Sequence, residues 1–452
     1  MMRNDQRLFW KYVAPSVFGA LIGGSFAIVD AIFIGLSGGK NALAAAAVTW
    51  PVVMLLQAFG FLVGSGGAVL ISQSRGANDA GRESGIFSRT VFLAFAWSAV
   101  LTLLCFPILR PVLAALGATE ELMPVSLRYA QILTGGVVFS IFMSVCLEVI
   151  RNDGHPTLSM LLMVTGLLSN IVLDWVFVFL CGCGAVGAAI ATVVSQGGAC
   201  LLGAIYFCSP LTRLRFTGEI FRPALREIID ITVTGLPIFG NMLSIIAMLY
   251  MHNAQSLRYG GIDGLAAYTV ISSLEALGSM FMTGIAGGVQ PLSASMYGAG
   301  KYKRQNRFGN YGYLFAFISG VLLMLFSFAM HKFIPGWMGL ADGEARNLAM
   351  RGILLSAPAF LLLGVIRVAA FYYQSTGAIA KSSFLIYGDS FAALPLCIFT
   401  LPLWLGMDGV WLAMPVSRIL LMMLLLYFWF GMKRYREKNE NREKKICPTT
   451  SH

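Results

Sequence analysis

Apolar residues run along this chain in stretches of about twenty, each closed by a short segment with charged, glycine or proline residues. A helix of that length crosses the hydrocarbon core of a bilayer. The stretches are apolar all round and do not alternate with polar positions, which excludes an outer-membrane barrel. The pattern predicts an all-α polytopic membrane protein with about twelve transmembrane helices. The predicted spans lie near 13–36, 43–73, 89–115, 123–150, 157–181, 185–208, 231–257, 264–296, 310–338, 348–375, 381–405 and 409–432.

Composition supports this interpretation. The chain has 452 residues, of which 57% are hydrophobic and only 12% charged, and its mean hydropathy is +0.76. A soluble domain has roughly twice that charged fraction. The net charge of +11 does not indicate a nucleic-acid partner, because the basic residues lie mainly in short loops between spans.

Lysine and arginine also predict the orientation of the chain. The segments on the same side as the N-terminus hold most of these residues, which places both termini in the cytoplasm. The first apolar run is too long for the apolar part of a signal peptide, so we expect it to remain as the first span. The expected location is the bacterial plasma (inner) membrane.

The two halves of the sequence repeat at a constant offset of 222 residues. Six spans per repeat is an even number, so both halves cross the membrane in the same direction. We therefore predict two six-helix lobes related by a pseudo-two-fold axis along the membrane normal. Residues that recur at this offset include Pro15 and Pro237, Gly76 and Gly298, Arg82 and Arg304, and Ser195 and Ser417.

The same pattern predicts the domain boundaries. The N-lobe covers residues 1–208 and the C-lobe covers residues 231–432. Between them, residues 209–230 form a basic cytoplasmic linker. Residues 433–452 form a basic cytoplasmic tail suited to anionic lipid headgroups.

Asp30 is the one charged residue of the first apolar run, and its insertion costs about 2.5–3.5 kcal/mol at a helix centre. Asp30, Asp174 and Thr192 each lie seven residues from the outer end of their span, so all three have the same predicted depth. Asn170 is one turn deeper on the face that carries Asp174. Such an all-oxygen set suits a hard cation such as Na⁺, or a shared proton. The alternative is a set of unrelated polar residues, each hydrogen-bonded within the bundle.

Four polar residues of the second half are candidates for the substrate cavity or for a second polar cluster. Glu275 is a candidate for holding a cationic drug, and Asp389 for pairing with Arg367, although structural pairs explain these residues equally well. His252 lies at the repeat position of Asp30, where a hydrogen-bonded core histidine is the simpler interpretation. The many methionine and phenylalanine residues include some that would line an adaptable cavity.

Several motifs resemble those of multidrug and toxin extrusion (MATE) transporters, in the order that this family has them. In that family, an acid of span 1, an Asn and an Asp of span 5 and a Thr of span 6 form a cation site. The matching residues here are Asp30, Asn170, Asp174 and Thr192. The acids that one branch of the family carries in spans 7 and 10 are missing, so we do not transfer that second site. The motifs are "VDAIFIG", "ALAAAAVTWPV", "IRNDGHPTLSM", "LLSNIVLDWVFVF", "GAVGAAIATVVSQ", "GGVQPLSASMYGAGKYKR" and "YYQSTGAIAKSS".

The resemblance implies a secondary antiporter that exports amphipathic organic cations in exchange for H⁺ or Na⁺ by alternating access. Expected partners are small cationic drugs or dyes and membrane lipid, with the chain as a monomer. We expect no cofactor beyond the coupling ion and no enzymatic activity, because catalytic motifs are absent from the sequence. The alternative is a flippase of the same superfamily for lipid-linked oligosaccharide or polysaccharide.

Overall fold

The computed structural model describes residues 2–218 and 224–446, and these residues are almost entirely helical. The prediction of an all-α chain is confirmed. The helices, in chain order, are α1 Met2–Gly76, α2 Ala80–Ala115, α3 Met123–Gly135, α4 Val137–Asn152, α5 Pro156–Asp174, α6 Gly184–Cys208, α7 Leu225–Gly298, α8 Tyr302–Met330, α9 Ile334–Trp337, α10 Glu344–Ser356, α11 Ala359–Ser375, α12 Ile379–Gly388, α13 Leu394–Leu405 and α14 Met407–Ile446. Short π-helical segments follow α5 at Trp175–Leu180 and α12 at Asp389–Ala393.

Among the described residues, nine helices are long and apolar enough to cross a membrane, and two bent pairs bring this number to eleven. The bent pairs are α3 with α4, at 51°, and α10 with α11, at 50°. Helix α7 is counted once although its 74 residues contain two predicted spans. The predicted ninth span is too long at its end, since α8 stops at Met330 and the short α9 follows.

Each half joins its first two spans through one glycine instead of a loop. Gly39 has φ 60° and ψ −151° within α1, and Gly261 has φ 59° and ψ −150° within α7. These angles are essentially restricted to glycine, because a Cβ atom would collide with the backbone. The two positions differ by the 222 residues of the repeat, so both halves make the same sharp turn.

The halves contact each other through glycines near the turn after α1 and the turn after α7. A Cβ atom on Gly66 would lie 2.0 Å from the carbonyl oxygen of Ile231, and one on Gly235 would lie 1.9 Å from that of Leu62. Gly288 faces Val13 in the same way. Backbones therefore touch directly where any larger residue would separate them. We call this part of the bundle, formed by residues 62–76 and 284–298 with the helix segments they contact, the closed end.

Polar contacts join the halves at the closed end as well. The buried side chain of Gln290 donates to Gln374 Oε1 at 2.8 Å, and Gln374 donates to Ser65 Oγ at 3.1 Å. Asp5, at the start of α1, accepts hydrogen bonds from Arg304 at 2.9 Å and from Arg307 at 2.7 Å, both on α8. The closed end is thus sealed by both close packing and buried hydrogen bonds.

The predicted linker at 209–230 falls partly outside the described residues, which omit 219–223. Its last residues already belong to α7, which begins at Leu225. Helix α14 continues past the predicted last span to Ile446, so it includes most of the basic tail. The end of that tail, at 447–452, also lies outside the described residues.

Candidate cation site and central cavity

A cavity of about 1160 Å³ lies between the two halves. Its wall is mainly apolar and includes residues of both lobes. Thioethers and aromatic rings adapt to ligands of different shape, so this lining suits a varied set of flat apolar molecules. The methionines and phenylalanines of the wall, which the sequence alone does not single out, are Met54, Met143, Met160, Met163, Met242, Met248, Met280, Met338, Phe26, Phe61, Phe326 and Phe371.

Asp30 and Thr192 face this cavity from the N-lobe. Asp30 lies on α1 and Thr192 on α6, and the Thr192 hydroxyl donates to Asp30 Oδ2 at 3.1 Å. The same hydroxyl is 3.0 Å from the carbonyl oxygen of Ala188, one turn earlier on α6. A hydroxyl has one hydrogen, so its bond to Asp30 competes with a local backbone bond. The structure brings these two predicted residues into direct contact.

Asp174 and Asn170 lie behind Asp30 and are fully buried, at 0% exposure. Both belong to α5, four residues apart on one face, and both are neighbours of Asp30. Asp174 is the last residue of α5, directly before the π-helical segment. The four residues predicted from depth alone therefore form one cluster, in which Asp30 separates the cavity from Asp174.

Most oxygen atoms of this cluster have no hydrogen-bond partner within the described residues. The unpartnered buried atoms are Asp30 Oδ1, both carboxylate oxygens of Asp174, and Asn170 Oδ1 and Nδ2. Buried polar atoms normally have partners, and two neighbouring carboxylates without one are costly. The donor set fits a cation that oxygen ligands hold, such as Na⁺, or protons that neutralise the carboxylates.

The C-lobe wall of the cavity carries a different set of charges. Glu275 on α7 and Arg418 on α14 form an ion pair, and both side chains are buried, at 4% and 5% exposure. Arg367 on α11 and Asp389, which begins the second π-helical segment, also line the cavity. The C-lobe therefore presents two acids and two arginines where the N-lobe presents two acids and an amide.

Two of the interpretations made for these residues need correction. Within the described residues, Asp389 and Arg367 form no ion pair within 4.0 Å; Arg367 instead donates to Ser279 Oγ at 3.3 Å. Glu275 is not free to hold a cationic drug, because Arg418 occupies its carboxylate. The sequence placed these residues in spans, but it did not fix how far each is rotated about its helix axis.

His252 is a core residue and not part of the cavity wall. It is fully buried, its Nδ1 lies 3.0 Å from the carbonyl oxygen of Met248, and its ring stacks on Tyr268 with centroids 5.1 Å apart. Tyr268 does line the cavity. His252 thus supports the wall from behind, although it occupies the repeat position of Asp30.

Sequence reasoning missed two residues of these sites. Arg418 was visible as a charge within the last span, and the repeat pairs it with Gln196, which also lines the cavity. Tyr129, on α3, lines the cavity near Asp30 and Asp174. A single tyrosine in an apolar run gives no signal that distinguishes it from a packing residue.

Comparison with known proteins shows the same two-part architecture. The family model MatE matches the chain twice, over residues 15–176 and 237–398. The two matches differ by the 222 residues of the repeat. Multidrug export protein MepA of Staphylococcus haemolyticus is 23% identical over 447 residues, which is 95% of this chain and 97% of that protein. MepA of Staphylococcus aureus strain N315 is 26% identical over 289 residues, which is 64% of this chain and 63% of that protein.

Solved structures share the fold. One, described as the outward-facing conformation of a multidrug resistance MATE family transporter of the MOP superfamily, has a TM-score of 0.89, 22% identity and coverage of 96% and 97% of the two chains. Another is a MOP superfamily transporter from Pyrococcus furiosus, described as having a binding pocket of reverse polarity. It has a TM-score of 0.88, 22% identity and coverage of 95% and 96%. Fold and site thus define a helical membrane transporter with two lobes around one cavity. The chain belongs to the MatE family, which confirms the resemblance and the two-lobe fold class predicted from the sequence.

Proposed function

We propose that this protein is a secondary antiporter that exports amphipathic organic cations in exchange for H⁺ or Na⁺. The observation that carries the proposal is the cluster of unpartnered carboxylate oxygens at Asp30 and Asp174, directly beside a large apolar cavity. The resemblance to MepA, a multidrug export protein, supports drugs as the transported class. The proposal needs no cofactor beyond the coupling ion.

The same proposal includes location and orientation. The protein lies in the bacterial inner membrane as a monomer, with both termini in the cytoplasm. The closed end is then the cytoplasmic end, because the loops 77–79 and 299–301 belong to the positively charged side. The cavity accordingly opens away from the cytoplasm in this conformation.

The coupling ion acts on the charge of the N-lobe cluster. When Asp30 is ionised and unoccupied, desolvation and repulsion from Asp174 favour a cluster that is open to water. A proton or Na⁺ from outside removes this charge, so α1 packs more closely on α5 and α6 and the cavity shrinks. The ion must bind the collapsed state more tightly for this to drive export, since equal affinity for both states shifts nothing.

The flippase alternative receives no support from the cavity. Such a protein needs several free basic groups for a pyrophosphate. Of the cavity arginines, Arg151 is bonded to Glu148 and Arg418 to Glu275. Only Arg367 lacks a carboxylate partner among the described residues.

Transport in reconstituted vesicles tests the proposal. Ethidium should move against its gradient when a pH gradient or a Na⁺ gradient is imposed, and each gradient is applied with the other ion held equal on both sides. Asp30→Asn and Asp174→Asn should abolish this movement, because neither amide can be neutralised by the ion. Asp263→Asn, at an exposed position after the Gly261 turn, is the matched control. Wild-type transport in both cluster variants, with the same amount of protein, would reject the proposal.

A further inference from the structure

Arg367 projects from α11 into the wall of the cavity and is half-buried there. Its one described hydrogen bond goes to Ser279 Oγ at 3.3 Å, which is long for a bond of this type. Within residues 2–218 and 224–446, no carboxylate lies within 4.0 Å of its guanidinium. A guanidinium has five N–H donors, so most of its hydrogen-bonding capacity is unused.

Asp389 is the second unpaired charge on this wall. Its Oδ1 atom is buried without a hydrogen-bond partner, and the described residues place no basic group within 4.0 Å of its carboxylate. Arg367 and Asp389 are near enough for their charges to act on each other, but they do not touch. In contrast, Glu275 and Arg418 beside them form a direct ion pair.

A separated pair of opposite charges is costly in an apolar wall, because each charge loses water without gaining a direct partner. A ligand that carries both charges would provide both partners. We propose that Arg367 and Asp389 form a subsite for zwitterionic amphiphiles, in which Arg367 binds a carboxylate and Asp389 faces a cationic nitrogen. This inference rests on the proposed export function and extends its substrate class beyond simple cations.

The chemistry of the wall selects a carboxylate over a larger anion. One guanidinium presents a planar fork that matches a single carboxylate in two parallel hydrogen bonds. A diphosphate would need further free basic groups, and Arg418 is already occupied. The aromatic body of the ligand would lie against neighbouring apolar residues such as Phe371 and Met280.

Rhodamine B and its ethyl ester provide a matched pair of probes. They share one aromatic cation, but only rhodamine B carries a free carboxylate. Their binding to the purified full-length protein is measured by fluorescence anisotropy. We expect the wild type to bind both, and Arg367→Gln to weaken rhodamine B about tenfold while changing the ester by less than about twofold. Asp389→Asn should weaken both probes, because both carry the cation.

The control is Arg351→Gln, an exposed arginine outside the cavity, which should change neither affinity. If Arg367→Gln does not fold, Arg367→Lys decides, because it keeps the charge and loses the fork; it should weaken rhodamine B alone, by about threefold. Equal weakening of both probes, or no change in their affinity ratio, overturns the subsite. A wild type that binds the ester but not rhodamine B overturns it too and leaves cation export intact. Binding of neither probe rejects the export function itself.

Discussion

Gly76 and Gly298 occupy equivalent positions in the two halves, and each faces a backbone carbonyl of the other half. A Cβ atom on Gly76 would lie 2.0 Å from the oxygen of Ser295, and one on Gly298 would lie 1.9 Å from the oxygen of Gln73. Ser295 is in turn the repeat equivalent of Gln73. The closed end therefore has a true two-fold contact, made of backbone and not of side chains.

This contact predicts that Gly76→Ala or Gly298→Ala forces the closed end apart. A backbone carbonyl cannot move aside as a flexible side chain can, so the helices must separate. We expect faster hydrogen–deuterium exchange in peptides covering 62–76 and 284–298. Gly198→Ala, at a helical position with nothing within 4 Å of the added Cβ, is the control. Unchanged protection in both closed-end variants would contradict the prediction.

Replacing Thr192 distinguishes the two coupling ions. Thr192→Val keeps the shape and removes the hydroxyl that donates to Asp30. If Na⁺ is the coupling ion, the hydroxyl oxygen is a ligand, and half-maximal transport should need about tenfold more Na⁺. If H⁺ is the coupling ion, loss of the donor makes protonation easier, so half-maximal transport should move to higher external pH.

Thr192→Ser keeps the hydroxyl and serves as the control, with both dependences close to those of the wild type. Vesicle transport as a function of Na⁺ concentration and of pH provides the measurement. A Thr192→Val variant that matches the wild type in both series would mean that the hydroxyl takes no part in ion binding.

The buried ion pair of Glu275 and Arg418 predicts a strongly non-additive mutant cycle. Arg418→Met leaves the Glu275 carboxylate buried without a partner, which costs about 3–5 kcal/mol. Adding Glu275→Met removes that charge and should restore most of the lost stability. The Tm in detergent of the single and double variants checks this. A double variant less stable than both single variants would show that the charges stabilise the fold directly.

Asp5 predicts a salt-sensitive contribution to the closed end. Its carboxylate is 1% exposed, while Arg304 and Arg307 are partly exposed, at 37% and 39%. Asp5→Asn should loosen the contact between α1 and α8 and increase deuterium exchange at 302–308. Raising the salt concentration should reproduce part of this effect in the wild type, because partly exposed pairs are screened. Asp342→Asn, whose pair with Arg346 lies within one segment of the chain, should have no such effect.

Depth in the membrane can be inferred from the sequence, and this is why the N-lobe cluster is predictable. Helical rise fixes how deep Asp30 and Thr192 lie once the span ends are known. The contact of Asp30 with Thr192 then follows because their helices are neighbours. The repeat likewise predicts two similar halves, because residue types recur 222 positions apart from the first span to the last.

Rotation about the helix axis cannot be inferred in the same way. Arg367 and Asp389 are both inside spans, yet packing turns them so that neither touches the other, while Arg418 reaches Glu275. The bends between α3 and α4 and between α10 and α11, and the π-helical segment after Asp174, all change this rotation locally. Hydrophobicity reports none of these changes, because every face of such helices is apolar.

The turns at Gly39 and Gly261 leave each half no slack between its first two spans. Asp30 lies nine residues before Gly39, and the residues that meet the opposite half, Gln73 and Gly76, lie on the far arm of the same bend. With no loop to absorb movement, displacement of one arm is transmitted to the other, as in a pair of tongs. An ion that shifts the arm carrying Asp30 therefore pulls on the seal at the opposite end of the bundle, some fifty residues away in sequence.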